Sequence, residues 1–336
     1  MRKPILETLA LFAAMGRPLS LDELRRNIQF APLDPKSPDL RVKDKMVAYL
    51  SSNKTSFLRR GDLTGFANLA GHNFEGELSF LKREGLVVSS GAHLTLKNTM
   101  EFLGAAEEKS RFFERKIESA KKLRFIFRFI PFVDFVLVAG SLAFGAPRDH
   151  SDIDVVVGAR EGRIFTVRFF ASFFAWFLDF RRGSYSSKEE GRDKICFNHF
   201  VTPRGYELRP PRDLYWRVLY RNLIPFYGDK NAALHFLEAN RWAPADAQTW
   251  KYFLAVRKSW FCRALEAVFG GWLGNILESL ARSVQLFKFE RSRKHIREDF
   301  HPRVYFGDDE LEFHPDTRRI REYLEKSEML IRELTT

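Results

Sequence analysis

Apolar positions at helical spacing open the chain. Ile5, Leu9 and Phe12 recur every three to four residues between Ile5 and Met15, and Gly16-Arg17-Pro18 ends the run. Ser20-Leu21-Asp22-Glu23 forms a capping box, in which a serine hydroxyl and a glutamate three residues on satisfy the free N–H groups of a helix start. It predicts a second, short helix to about Ile28. His72 to Arg83 predicts a third helix with Phe74, Leu78 and Leu81 on one side; Gly85 closes it, and Leu86-Val87-Val88, Gly91 and His93-Leu94-Thr95-Leu96 predict a hairpin. Residues 30–71 read as an insertion between the second and third helices, part of it (about 42–58) itself helical. A charged-apolar pattern from about Ala105 to Phe129 predicts a connecting helix that Pro131 closes.

Beyond Pro131 the period changes. Asp134–Ala139, Ser151–Val157 and Lys194–Thr202 are expected strands, with an aromatic helix, Ile164 to Phe180, between the last two. Strands alternating with helices predict an α/β or α+β core: a mixed sheet with flanking helices. From Arg212 onward the pattern reads as helical, broken at Pro225, Pro244, Gly270-Gly271 and His301-Pro302. The expected organisation is four segments: 1–100, 101–130 as the connecting helix, 131–210 as the mixed-sheet core, and 211–336 as a C-terminal helical region. The first segment, with its Leu81-Lys-Arg-Glu-Gly-Leu-Val87 run into a hairpin, resembles winged helix-turn-helix domains. That resemblance implies a surface for nucleic acid or for protein.

Composition narrows the class. The 336 residues are 45% hydrophobic, include 34 phenylalanines, and carry a formal net charge of +12, which favours acidic partners such as nucleotides or nucleic acid. Cys196 and Cys262 lack CxxC spacing, which points away from a zinc site or a disulfide framework and fits a reducing, cytoplasmic setting. Pro4, Glu7 and the helical spacing of the first apolar residues argue against a signal peptide. No transmembrane segment is expected, because Arg168 and Asp179 interrupt the most apolar stretch.

The chemistry-bearing stretch is Val136-Leu-Val-Ala-Gly140-Ser141, followed after ten residues by Asp152-Ile153-Asp154-Val-Val-Val157. Residues i and i+2 of a strand share a face, roughly 6–7 Å apart at Cα. Two carboxylates so placed suit a cation that prefers oxygen ligands, Mg²⁺ or Mn²⁺. Ile153 is expected to face the opposite way, into the core. Gly140 allows close backbone approach, Ser141 offers a hydroxyl where a helix should start, and Arg148 is a candidate for a triphosphate contact or a solvated loop charge. Acids at the head of an otherwise apolar strand call for a compensating partner.

An apolar residue, Gly, Ser, a spacer and then Asp-apolar-Asp resembles the signature of the polymerase-β-type nucleotidyltransferase superfamily. The resemblance implies metal-dependent transfer of a nucleoside monophosphate from a nucleoside triphosphate to an acceptor hydroxyl, with Gly140, Ser141 and Arg148 at the nucleotide and Asp152 and Asp154 at the metal. It also implies a third carboxylate on a neighbouring strand. There the sequence offers Asp193 at the strand's start and Asn198 in its middle, on opposite faces by alternation and so rivals; Asp193 is the residue expected to complete the catalytic set. An asparagine cannot accept the acceptor's proton, so the alternative is a catalytically reduced domain that senses nucleotide and regulates through nucleic acid. A nucleic-acid contact is expected through the winged-helix-like segment or the basic stretch 288–297, for which a solvated helix face is the plain alternative.

Overall fold

The computed structural model describes residues 2–28, 71–178, 193–255, 257–294 and 296–335. The expected insertion at about 30–71 and its helix over 42–58 lie outside the described residues, apart from position 71. The chain divides into two compact units, Met1–Ala106 with Tyr323–Thr336, and Glu107–Glu322.

In the first unit, α1 (Arg2–Ala14) buries Ile5, Leu9 and Phe12, and β1 (Leu19–Ser20) leads into α2 (Leu21–Asn27). The capping box is formed in both directions: Glu23 N donates to Ser20 Oγ at 3.2 Å, and Ser20 N donates to Glu23 Oε2 at 2.9 Å. Then α3 (Gly71–Arg83) buries Phe74, Leu78 and Leu81, and β2 (Val87–Ser90) and β3 (His93–Leu96) make an antiparallel hairpin turning at Gly91, whose φ of 54° favours glycine. β3 is central in a three-stranded sheet of order β1-β3-β2.

The second unit is a mixed seven-stranded sheet with helices. Its elements run α4 (Ala106–Leu123), β4 (Val133–Val138), a single helical turn α5 (Gly140–Ala143), β5 (Ile153–Ala159), α6 (Ile164–Phe177) and β6 (Ile195–Val201). After these come α7 (Leu214–Arg221), β7 (Ile224–Gly228), α8 (Lys230–Ala239), β8 (Leu254–Ala255), α9 (Trp260–Val268), α10 (Trp272–Arg293), β9 (Arg303–Phe306) and β10 (Glu310–His314). A last helix, α11 (Arg318–Thr335), follows, and from Tyr323 on it belongs to the first unit. The strand order is β8-β7-β4-β5-β6-β10-β9, which puts β5 in the middle, antiparallel to β4 and parallel to β6. The three strands expected from alternation are therefore neighbours.

The region from Arg212, expected to be helical, corrects that expectation: it supplies four strands of the seven. Pro225, an expected breaker, sits inside β7 opposite Leu137, where the β4–β7 register shifts between Val136 and Leu137. A proline cannot donate to a ladder, and an irregular step is where a strand tolerates one.

One face of the sheet forms the main core. Val136, Val138, Ile153, Val155, Val157 and Phe200 belong to one buried cluster with Ile117, Ala120, Phe165 and Ala171 of α4 and α6. Ile153 is 2% exposed, on the core side as its position between two acids requires. Among the described residues no helix is long and apolar enough to cross a membrane.

Candidate functional site

The geometry follows from strand direction. Because β4 runs antiparallel to β5, pairing Val138 with Val155, the turn leaving β4 lies beside the residues entering β5. Ala139 N donates to the backbone oxygen of Asp154 at 2.9 Å, which carries the pairing one step further. Gly140 then turns with φ of 60°, a conformation that side chains rarely adopt. A Cβ built on Gly140 would stand 2.0 Å from Asp154 Oδ2 and 2.8 Å from its Cγ. The Asp154 carboxylate thus rests directly against the glycine backbone.

Asp152 and Asp154 are both partly exposed, and a third group joins them from β6. Ligand atoms of Asp152, Asp154 and Cys196 all lie within 4.8 Å of one another. The register explains Cys196, since it is the partner of Asp154 across the parallel β5–β6 pair. No sequence spacing links Cys196 to the two acids.

Just beyond that pair the register shifts: Asp154 is opposite Cys196, whereas Val156 is opposite His199. Two residues of β5 therefore match three of β6, a bulge that breaks strict alternation. Asn198 lies within this irregular step, and its Nδ2 donates to Asp154 Oδ1 at 3.0 Å. Simple parity could assign Asn198 to a face only if the strand were regular.

Asp193, the other rival, does not join that group of three. Its Oδ1 instead accepts from Lys116 Nζ at 2.7 Å, and its own φ of 58° marks a tight turn into β6. Lys116 was not singled out in the sequence, where it is one of several lysines in a charged helix. It is only 4% exposed, and its Nζ also donates to the backbone oxygens of Asp149 at 2.7 Å and Ser151 at 2.9 Å. An ammonium has three hydrogens to give, and these three acceptors use them all. Lys116 thereby fastens the loop entering β5 to the loop entering β6. Backbone bonds from Ile153 N to Lys194 O (2.9 Å) and from Asp193 N to Ser151 O (3.3 Å) complete that junction.

The remaining residues fall at varying distances from this chemistry. Ser141 is partly exposed in the single turn after Gly140, and Arg148 is exposed, its backbone N donating to Ser151 Oγ at 2.8 Å. Arg168 is turned toward α10, where Nη1 donates to Gln285 Oε1 at 2.8 Å. Arg181 and Arg182 lie outside the described residues. Asp316 accepts from Arg318 N at 3.0 Å, a cap-like contact at the start of α11. In the basic stretch, Lys288, Arg291 and Lys294 are exposed, while Arg297 is engaged with Asp299.

A second polar cluster occupies the same sheet face one step along, because His199 pairs with Val156. His199 Nε2 meets Glu310 Oε1 at 3.2 Å, Arg209 Nε donates to Glu310 Oε2 at 2.9 Å, and Arg303 Nε donates to Glu312 Oε1 at 2.5 Å. Burial alone would raise the Glu310 pKa, but the contacts with His199 and Arg209 outweigh it and hold the carboxyl below its ordinary value. With each carboxylate already matched to a guanidinium, this cluster is an internal ion-pair layer.

Comparison with protein-family models, with curated proteins and with solved structures finds no match for this chain.

Proposed function

We propose that the chain is a divalent-metal-dependent nucleotidyltransferase, moving a nucleoside monophosphate from a nucleoside triphosphate to an acceptor hydroxyl. The observation that carries this reading is the contact of Asp154 with Gly140: paired acids at the head of a central strand close on the glycine turn beside them. In the reaction the acceptor oxygen bonds to the α-phosphorus, the bond from that phosphorus to the bridging oxygen breaks, pyrophosphate leaves, and the acceptor's proton passes to base or solvent.

Asp152 and Asp154 would hold the metal. Their hard oxygen donors fit Mg²⁺ or Mn²⁺, and Cys196 adds a softer atom that suits Mn²⁺ better than Mg²⁺. The ion, when bound, supplies charge stabilisation for the phosphoryl group in transfer. Gly140 leaves room for backbone to approach the polyphosphate, Ser141 offers its hydroxyl, and exposed Arg148 offers positive charge from the loop. Lys116 keeps the two loops that carry the acids in fixed register.

One observation favours a second reading. Cys196 and Asn198 of β6, neither of them a carboxylate, stand beside Asp154, and a general base for the acceptor is not evident among them. On this reading the domain binds nucleotide without turnover and regulates through nucleic acid. Its support is that the described elements of the first unit (helix, strand, helix, then helix and hairpin) follow an order compatible with a winged helix, together with the +12 charge.

Both are tested by incubating the chain with each labelled nucleoside triphosphate, Mg²⁺ or Mn²⁺, and a mixed pool of RNA and protein. Transfer of label that Asp152→Ala and Asp154→Ala abolish without unfolding supports the enzyme. Nucleotide binding without any labelled product supports the sensor.

A further inference from the structure

The second unit carries a feature that the proposed chemistry does not use. Buried polar bonds lock α6, α9 and α10 together. Arg163, 8% exposed at the start of α6, donates to the backbone oxygens of Phe269, Gly270 and Gly271 in the α9–α10 turn. Glu278 of α10 accepts from Phe165 N at 2.9 Å and Thr166 N at 2.8 Å, capping α6, which has no cap of its own. Gln285 Nε2 donates to Phe165 O at 2.8 Å.

What this clamp leaves outside is apolar. Along α6, Phe173, Trp176 and Phe177 are 46%, 69% and 70% exposed. Along α10, Ile276, Leu280, Val284 and Phe287 recur at three- to four-residue spacing and are 49% to 71% exposed, opposite the side that carries Glu278 and Gln285. Trp260 and Trp272, at the starts of α9 and α10, are 76% and 70% exposed. Tryptophan is ordinarily well buried, and its natural exposed setting is the border of water and lipid.

Charge identifies the occupant. From Trp260 to Phe289 the acids are Glu266 and Glu278, and both are turned inward, Glu266 to Phe132 N and Lys258, Glu278 to α6. The exposed ions there are Arg263, Lys288 and Arg282, the last paired with Asp308. Arg291 and Lys294 follow, with Glu290 among them. A second copy of this face would set cation against cation across a two-fold axis.

We propose that the outer sides of α6, α9 and α10 dock this protein peripherally on an anionic lipid surface. The aromatic rings enter the headgroup layer and the lysines and arginines meet lipid phosphates. The inference is independent of the transferase reading.

The test is sedimentation of the full chain with vesicles of phosphatidylcholine alone and of phosphatidylcholine with phosphatidylglycerol. The expected result is binding to the mixed vesicles, with a blue shift of indole emission and at least tenfold weaker partitioning to phosphatidylcholine alone. Trp176→Ser with Leu280→Ser and Phe287→Ser, all exposed, should leave the melting temperature unchanged and cut binding at least tenfold. Lys288→Glu with Arg291→Glu should erase the preference for anionic lipid. Failure to sediment with either vesicle overturns the proposal, whether the chain is then a monomer or a dimer that Leu280→Glu dissociates. Undiminished binding by the triple variant overturns it too.

Discussion

The Asp154 carboxylate occupies the space that a side chain on Gly140 would need: a methyl there would fall 2.0 Å from Oδ2. Two penalties follow for Gly140→Ala. The φ of 60° costs an alanine about 1–2 kcal/mol, and the methyl also displaces the carboxylate. In the native background we expect a total loss on the order of 2–4 kcal/mol and a loss of Mn²⁺ binding by calorimetry. In an Asp154→Ala background the penalty should fall to the backbone part. Equal penalties in the two backgrounds would mean that the contact carries no energy.

Lys116 makes a different prediction. Its three donors are spent on Asp149 O, Ser151 O and Asp193 Oδ1, so Lys116→Met takes a charged donor away from two backbone oxygens and a carboxylate at once, leaving Ser151 O its bond from Asp193 N. The expected destabilisation is about 2–4 kcal/mol by urea unfolding. Asp193→Asn keeps an oxygen acceptor and, at 36% side-chain exposure, should cost no more than about 1 kcal/mol. Label transfer should survive Asp193→Asn and vanish in Asp152→Asn. Transfer lost equally in both would place Asp193 in the catalytic set.

The parts of this arrangement that were legible in the sequence are those governed by local period. Alternation predicts strands at Asp134–Ala139, Ser151–Val157 and Lys194–Thr202, and strands are found at Val133–Val138, Ile153–Ala159 and Ile195–Val201. What escaped depends on partners distant in the chain. Glu310 and Glu312 place charge on a buried strand, tolerated because Arg209, Arg303 and His199 converge on them, and no local pattern announces that. The bulge that carries Asn198 to Asp154 exists only in the pairing of β5 with β6. The aromatic helix shows the same limit: its periodicity marked Phe165 and Phe173 alike as apolar, whereas packing buries the first and exposes the second.

The ion-pair layer should make acid stability depend on Glu310. Its folded pKa lies below the ordinary 4.5, because His199 and Arg209 outweigh the effect of burial. A group depressed in this way contributes stability above its unfolded pKa and loses it as pH falls through the folded value. Melting temperature should therefore drop below about pH 4.5, and Glu310→Gln should lower the neutral-pH plateau while flattening that acid limb. An unaltered acid limb in the variant would assign the titration to other carboxylates.

Asn198 decides between catalyst and sensor. Its amide donates to Asp154 Oδ1 at 3.0 Å, so Asn198→Asp replaces an attractive contact with two carboxylates at hydrogen-bond distance. Without metal, one of them must hold a proton or the strands must part, so the variant should melt lower than the native chain, and more so at pH 8 than at pH 5. With metal the sign reverses: a third carboxylate beside Asp152 and Asp154 should tighten Mn²⁺ binding by about tenfold, roughly 1.4 kcal/mol, and enlarge the thermal shift on adding the ion. If the native chain already transfers label, the added base should change the rate modestly. If only Asn198→Asp transfers label, the native chain binds nucleotide without using it. A variant with neither tighter metal binding nor a pH-dependent loss of stability would remove Asn198 from the site altogether.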